Sequence, residues 1–108
     1  MLSLHLALTE ATRGFLSAAL LARLRPGAIL VNTARAALVD EAAMLAALRD
    51  GQLGHAALDV FHEEPLPAGH VLTGLPNVTL TAHSAFRTPE ASRTLVRMAL
   101  DLARCLAV

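Results

Sequence analysis

A chain of 108 residues is long enough for one domain with a modest core, and 55% apolar against 17% charged residues marks it as globular. Nine acidic and nine basic side chains balance to a formal charge of zero, which argues against nucleic acid or an anionic membrane surface as a partner. All nine bases are arginine, so Schiff-base chemistry on lysine is excluded, and a single cysteine, Cys105, excludes an intrachain disulfide.

The start, "MLSLHLAL", lacks a basic segment and is broken by Ser3 and His5, so it does not read as a signal peptide. No apolar run reaches the length needed to span a bilayer. The expected setting is therefore soluble and cytoplasmic, with no membrane partner.

In chain order, "LSLHLAL" predicts a strand, and "SAALLARLR" a helix with Ser17 at its N-cap that stops at Pro26-Gly27. "AILVN" is a short continuous apolar strand of the kind buried on both faces. Asp40 is placed to cap "EAAMLAALRD", where Ala43, Met44, Ala47 and Leu48 form one stripe and Gly51 suits the C-terminal position. "HAALDV" and "NVTLTA" predict a third and a fourth strand. The connection between them, "FHEEPLPAGHVLTGLP", is long and has no helical period, as functional loops often do. Thr88-Pro89-Glu90 supplies a cap, a first-turn proline and a first-turn acid for a long helix reaching about Ala107.

This alternation predicts an α/β fold with a mostly parallel sheet of about four strands and flanking helices, in a single domain over residues 1–108. Ligands of open α/β sheets bind beyond the carboxyl ends of the strands. Arg35 follows "AILVN", Asp59 closes "HAALDV" with His62, Glu63 and Glu64 beyond it, and His83 follows "NVTLTA". An isolated arginine or histidine at a strand end is ordinarily a solvated side chain or a carbonyl cap. Three successive strands delivering a forked cation, carboxylates and an imidazole to one edge suit a site that orients a carboxylate and moves a proton. His5, His55, His62 and His70 show no metal-ligand spacing, and Cys105 has no neighbouring base, so neither a metal nor a thiol nucleophile is expected.

The segments "SLHLALTEATRG", "LRPGAILVNTARAALVDEAAMLAALRDGQLGHAALDVFHEEPLP" and "LPNVTLTAHSAFRTPEA" cover nearly the whole chain. In order and spacing the sequence resembles the D-isomer-specific 2-hydroxyacid dehydrogenases, in particular the C-terminal half of their Rossmann-type NAD-binding domain. The resemblance implies an oxidoreductase that moves a hydride between NAD (or NADP) and a small 2-hydroxy or 2-keto acid. It implies that Arg35 grips the substrate carboxylate, that Glu64 pairs with His83, and that His83 exchanges the hydroxyl proton. Asn32, Thr33, Ala34, Asp59 and His83 would face the cofactor, with Asp59 at its nicotinamide end.

Four positions depart from the family pattern: Ala7 and Ala82 stand where proline is usual, and Ala36 and His55 where glycine is. No G-x-G-x-x-G turn occurs in the sequence, so the half that cradles the pyrophosphate, and the substrate domain, are expected to be absent. The strand "LSLHLAL" would then have lost a sheet neighbour, and association with a second copy or with a complementing N-terminal half is expected. The alternative is a non-catalytic remnant or interaction module of the same fold, resembling the corepressor branch of the family.

Overall fold

The computed structural model describes residues 1–106. Its elements in chain order are β1 (Leu2–Leu4), α1 (Ala18–Leu21), β2 (Ala28–Asn32), α2 (Glu41–Asp50), β3 (Leu53–Leu58), β4 (Val78–Leu80) and α3 (Pro89–Leu106). Short 3-10 turns at Ala36–Leu38 and Val71–Gly74 punctuate the connections. The four strands form one parallel sheet in the order β1-β2-β3-β4. An α/β architecture of four parallel strands with flanking helices is what the alternating pattern predicts.

One face of the sheet carries the core. Leu4, Leu30, Ala56 and Leu58 bury together with Leu21 of α1 and with Met44, Ala47 and Leu48 of α2. Met44, Ala47 and Leu48 lie three and four residues apart, so α2 turns one stripe inward. Both ends of α2 are closed as the sequence implies. The Ala43 amide donates to Asp40 Oδ1 at 3.0 Å, and Gly51 adopts φ +84°, a conformation that costs glycine nothing. At the start of β3, Gly54 sits in a register shift against Gly27, where an added Cβ would lie 2.8 Å from the Gly27 carbonyl oxygen.

On the other face Ser3, Ile29 and Thr79 are exposed and Val31, His55 and Ala57 half-covered. His55 Nε2 meets Thr79 Oγ1 at 2.9 Å across β3 and β4 there. The long helix α3 has no buried residue, although Ala91, Leu95, Met98 and Leu102 fall on one side at helical spacing. It extends the molecule to 59 Å along its longest axis.

Several elements are shorter than predicted. β1 stops at Leu4 because its partner β2 ends at Asn32, which pairs with Leu4, so residues 5–8 have no ladder to join. α1 tightens into i→i+3 bonds, Arg23 to Leu20 and Leu24 to Leu21, as it approaches Pro26. Ser17 occupies its N-cap position without a side-chain hydrogen bond. Thr88 caps α3 through Oγ1, accepting from the Ala91 amide at 3.0 Å. The expected helix end at Ala107 lies outside the described residues.

The long connection between β3 and β4 crosses without an α-helix and is pinned by His70. Its Nδ1 accepts from the Leu72 amide at 3.3 Å, and its Nε2 lies 3.7 Å from Glu41 at the start of α2. Glu64 lies in the first half of this connection, six residues past the end of β3.

Candidate active site

The register fixes the rim on which the site is built. Asn32, Leu58 and Leu80 are paired neighbours and the last residues of β2, β3 and β4. The residues that follow them turn over the carboxyl edge of the sheet together.

Beyond β2, buried Asn32 organises the turn that carries Thr33, Ala34 and Arg35. Its Nδ2 donates to the Arg35 carbonyl at 3.0 Å, and its Oδ1 accepts from the Ala34 amide at 3.1 Å. A buried amide side chain so satisfied replaces the ladder that the strand gives up. Thr33 and Arg35 are exposed on this turn. The Arg35 guanidinium donates to the Ala34 carbonyl at 2.6 Å and forms no ion pair among the described residues. Most of its five donors therefore remain for a planar anion.

Beyond β3, Asp59 is only 3% exposed. Its Oδ1 accepts from the Thr81 hydroxyl and from the Ser84 amide at 2.8 Å, and its Oδ2 accepts from the Ala85 amide at 2.9 Å. Burial pushes this carboxyl up, but the bonds from Thr81, Ala85 and Ser84, with the His83 charge nearby, outweigh it and hold Asp59 below the ordinary aspartate range.

Beyond β4 stands His83, at φ +50° in the left-handed region. Its Nδ1 lies 2.7 Å from Glu64 Oε2, with both side chains about two-fifths exposed. The other oxygen, Oε1, accepts from the Phe61 amide at 2.9 Å, so the carboxylate is oriented from two sides. The Glu64-Pro65 bond is cis. The His83 bond and then the Phe61 bond hold Glu64 below the ordinary glutamate range, against burial and the Asp59 charge. A carboxylate only accepts, so Nδ1 carries the ring proton that points at Glu64. In the neutral ring Nε2 then carries the lone pair. Phe61, Glu64, Pro65, Leu66, Leu80 and Thr81 line an open cavity beside His83 of about 690 Å³.

The structure thus joins Glu64 to His83 directly and Asp59 to the His83 loop. It places Asn32, Thr33, Ala34 and Arg35 on the adjacent turn, with no hydrogen bond from Arg35 to the pair. Sequence reasoning missed Thr81 and the amides of Phe61, Ser84 and Ala85. Thr81 had a signal: in a parallel pair, the residue after Leu80 lies beside the residue after Leu58, which is Asp59.

A parallel α/β sheet of this order with flanking helices defines a Rossmann-type unit. Residues 1–85 match the model of the D-isomer specific 2-hydroxyacid dehydrogenase NAD binding domain, and the chain belongs to that family. It is 45% identical over 102 residues to an (S)-sulfolactate dehydrogenase of Chromohalobacter salexigens, covering 94% of this chain and 33% of that protein. It is 46% identical over 100 residues to a glyoxylate reductase of Aeropyrum pernix, covering 93% and 30%. Among solved structures, the NAD-complexed D-isomer specific 2-hydroxyacid dehydrogenase of Lactobacillus delbrueckii ssp. bulgaricus superposes with a TM-score of 0.85 at 31% identity, covering 97% of this chain and 36% of that one. The corresponding Xanthobacter autotrophicus Py2 protein, in complex with NADPH and MES, gives a TM-score of 0.72 at 49% identity, covering 75% and 26%. The chain spans about a third of the length of the curated relatives it matches. Among the described residues, no helix is long and apolar enough to cross a membrane.

Proposed function

We propose that this chain carries the proton-transfer and carboxylate-binding residues of an NAD(P)-dependent D-2-hydroxyacid dehydrogenase. The observation that supports the reading best is the 2.7 Å Glu64-His83 pair on the same sheet edge as Arg35. In oxidation, Arg35 holds the substrate carboxylate through its planar fork, and His83 Nε2 accepts the hydroxyl proton as the C2 hydrogen leaves with its electron pair. Glu64 keeps the Nδ1 proton in place throughout and stabilises the imidazolium that results. In reduction the same Nε2 returns its proton to the carbonyl oxygen.

A nicotinamide dinucleotide would supply the hydride acceptor. The residues fit its nicotinamide end: Asn32, Thr33 and Ala34 form an ordered turn at the crevice, and Asp59 Oδ2 takes a single hydrogen bond and so keeps acceptor capacity. Residues 1–108 are read as the C-terminal half of the NAD-binding domain, and they contain no phosphate-cradling G-x-G-x-x-G turn. The open edge of β1 is the seam for a complementing half or for a second copy, because unpaired strand groups template another strand.

A chimera tests this reading. The N-terminal part of the Xanthobacter relative is fused ahead of residue 1, and the product is assayed for NADH oxidation with a panel of 2-keto acids and for NADH binding by calorimetry. The chimera is expected to bind and turn over, while the chain alone binds NADH weakly or not at all. Micromolar NADH binding by the chain alone, or a chimera that binds NADH without reducing any 2-keto acid, would contradict the assignment.

A further inference from the structure

We propose that Asp59 and Thr81 form a clamp that positions His83, which makes Thr81 a positioning residue for proton transfer; the proposal rests on the role given to His83 above. The clamp follows from register. Leu58 pairs with Leu80, and the Thr81 amide extends the ladder one step further by donating to the Leu58 carbonyl at 3.0 Å. Asp59 and Thr81 are therefore neighbours just past the sheet, and the hydroxyl reaches Asp59 Oδ1.

From there the carboxylate binds on both sides of the histidine. It holds Thr81 two residues before His83 and the amides of Ser84 and Ala85 directly after it. His83 itself stands at φ +50°, a conformation that a residue with a side chain adopts at a cost. Ala82 adds no stiffness of its own, since only proline would lock its φ. The chain reversal at 83 is thus held from its flanks, and it is this reversal that turns Nδ1 to within 2.7 Å of Glu64. The bland alternative is that Thr81 merely satisfies a buried carboxylate.

The two readings differ in what happens at Glu64, which touches neither Thr81 nor Asp59 among the described hydrogen bonds. Glu64 is held below the ordinary glutamate range chiefly by the His83 ring N–H, so its titration reports whether the ring is in place. Thr81→Val removes the hydroxyl while keeping shape and the Asp59 charge. Carbon-13 NMR of the Glu64 carboxyl, with amide exchange at Ser84 and Ala85, is measured on the full chain. In Thr81→Val, Glu64 is expected to titrate higher than in the parent, and exchange at the two amides to rise about tenfold, the loss of roughly one charge-assisted hydrogen bond. Thr81→Ser, which keeps the hydroxyl, restores both. Thr81→Ala gives the same comparison should valine disturb β4.

Faster exchange with an unmoved Glu64 titration would overturn the clamp and leave Thr81 a structural partner of Asp59. No change in either would overturn it as well. A parent chain in which Glu64 titrates at the ordinary value would overturn the clamp together with the Glu64-His83 pair. The first two results leave the proposed function standing and the third does not.

Discussion

Glu64 Oε2 stands 2.7 Å from His83 Nδ1 although the two are nineteen residues apart, one early in a long loop and the other past the last strand. Two anchors make the meeting possible. The Phe61 amide fixes the second glutamate oxygen, and the Asp59 carboxylate fixes the backbone around the histidine. The site is therefore built from carboxylates whose hydrogen bonds are already in place before any ligand arrives, and its behaviour in acid follows from that.

Asp59 and Glu64 are both held below their ordinary ranges. A carboxyl whose folded value is depressed contributes stability above its unfolded value and loses it as pH falls through the folded one. The His83 loop should therefore stay ordered down to about pH 4, where free carboxylates begin to protonate, and loosen only below it. Amide signals of residues 81–85 followed from pH 7 to pH 2 check this. Loosening above pH 5 would show that other groups hold the loop.

Replacing Arg35 by lysine keeps the charge and loses the two parallel donors. In the chimeric enzyme this should cost about 1–3 kcal/mol of substrate binding, seen as a roughly 5- to 150-fold rise in KM for the keto acid with a smaller fall in kcat. Steady-state kinetics of Arg35→Lys decide it, and an unchanged KM would remove Arg35 from the carboxylate site.

The elements most legible in the sequence were those whose signals are local. β2 is a continuous apolar run between a Pro-Gly turn and a polar break, and α2 has a cap at Asp40, one apolar stripe and Gly51 to end it; both lie where the pattern puts them. β1 and α1 are shorter because their lengths are set by a partner strand and by tightening before Pro26, which no single segment records. Arg35, Asp59 and His83 were placed on one edge by simple strand counting. The Glu64-His83 contact depends on how His70 and Phe61 fold a loop with no periodicity, and only the family resemblance suggested it.

The α2 cap offers a stability test away from the site. Asp40→Ala removes the acceptor of the Ala43 amide and should cost about 1 kcal/mol, within a range of roughly 0.5–2. Urea unfolding checks it through the midpoint, which should fall with the slope unchanged. An unmoved midpoint would mean the cap contributes nothing.

A larger loss is expected in the core. Leu30 is fully buried at the centre of the sheet, and Leu30→Ala should cost about 2–5 kcal/mol from lost transfer energy and the cavity left behind. Gly54→Ala should also destabilise, since its Cβ would meet backbone rather than a movable side chain. Thermal melts of both variants check these losses, and parent-like melting of Leu30→Ala would contradict the packing described for the sheet.

The central claim is that His83 exchanges the substrate proton while Glu64 holds the opposite ring nitrogen. Its most direct test is the single-turnover rate of NADH oxidation by the chimera carrying His83→Asn, at saturating 2-keto acid. The account predicts a fall of about 10²- to 10⁴-fold at saturating NADH, the usual weight of one general acid-base group. A His83→Asn chimera that reduces the keto acid at the parent's rate would contradict it.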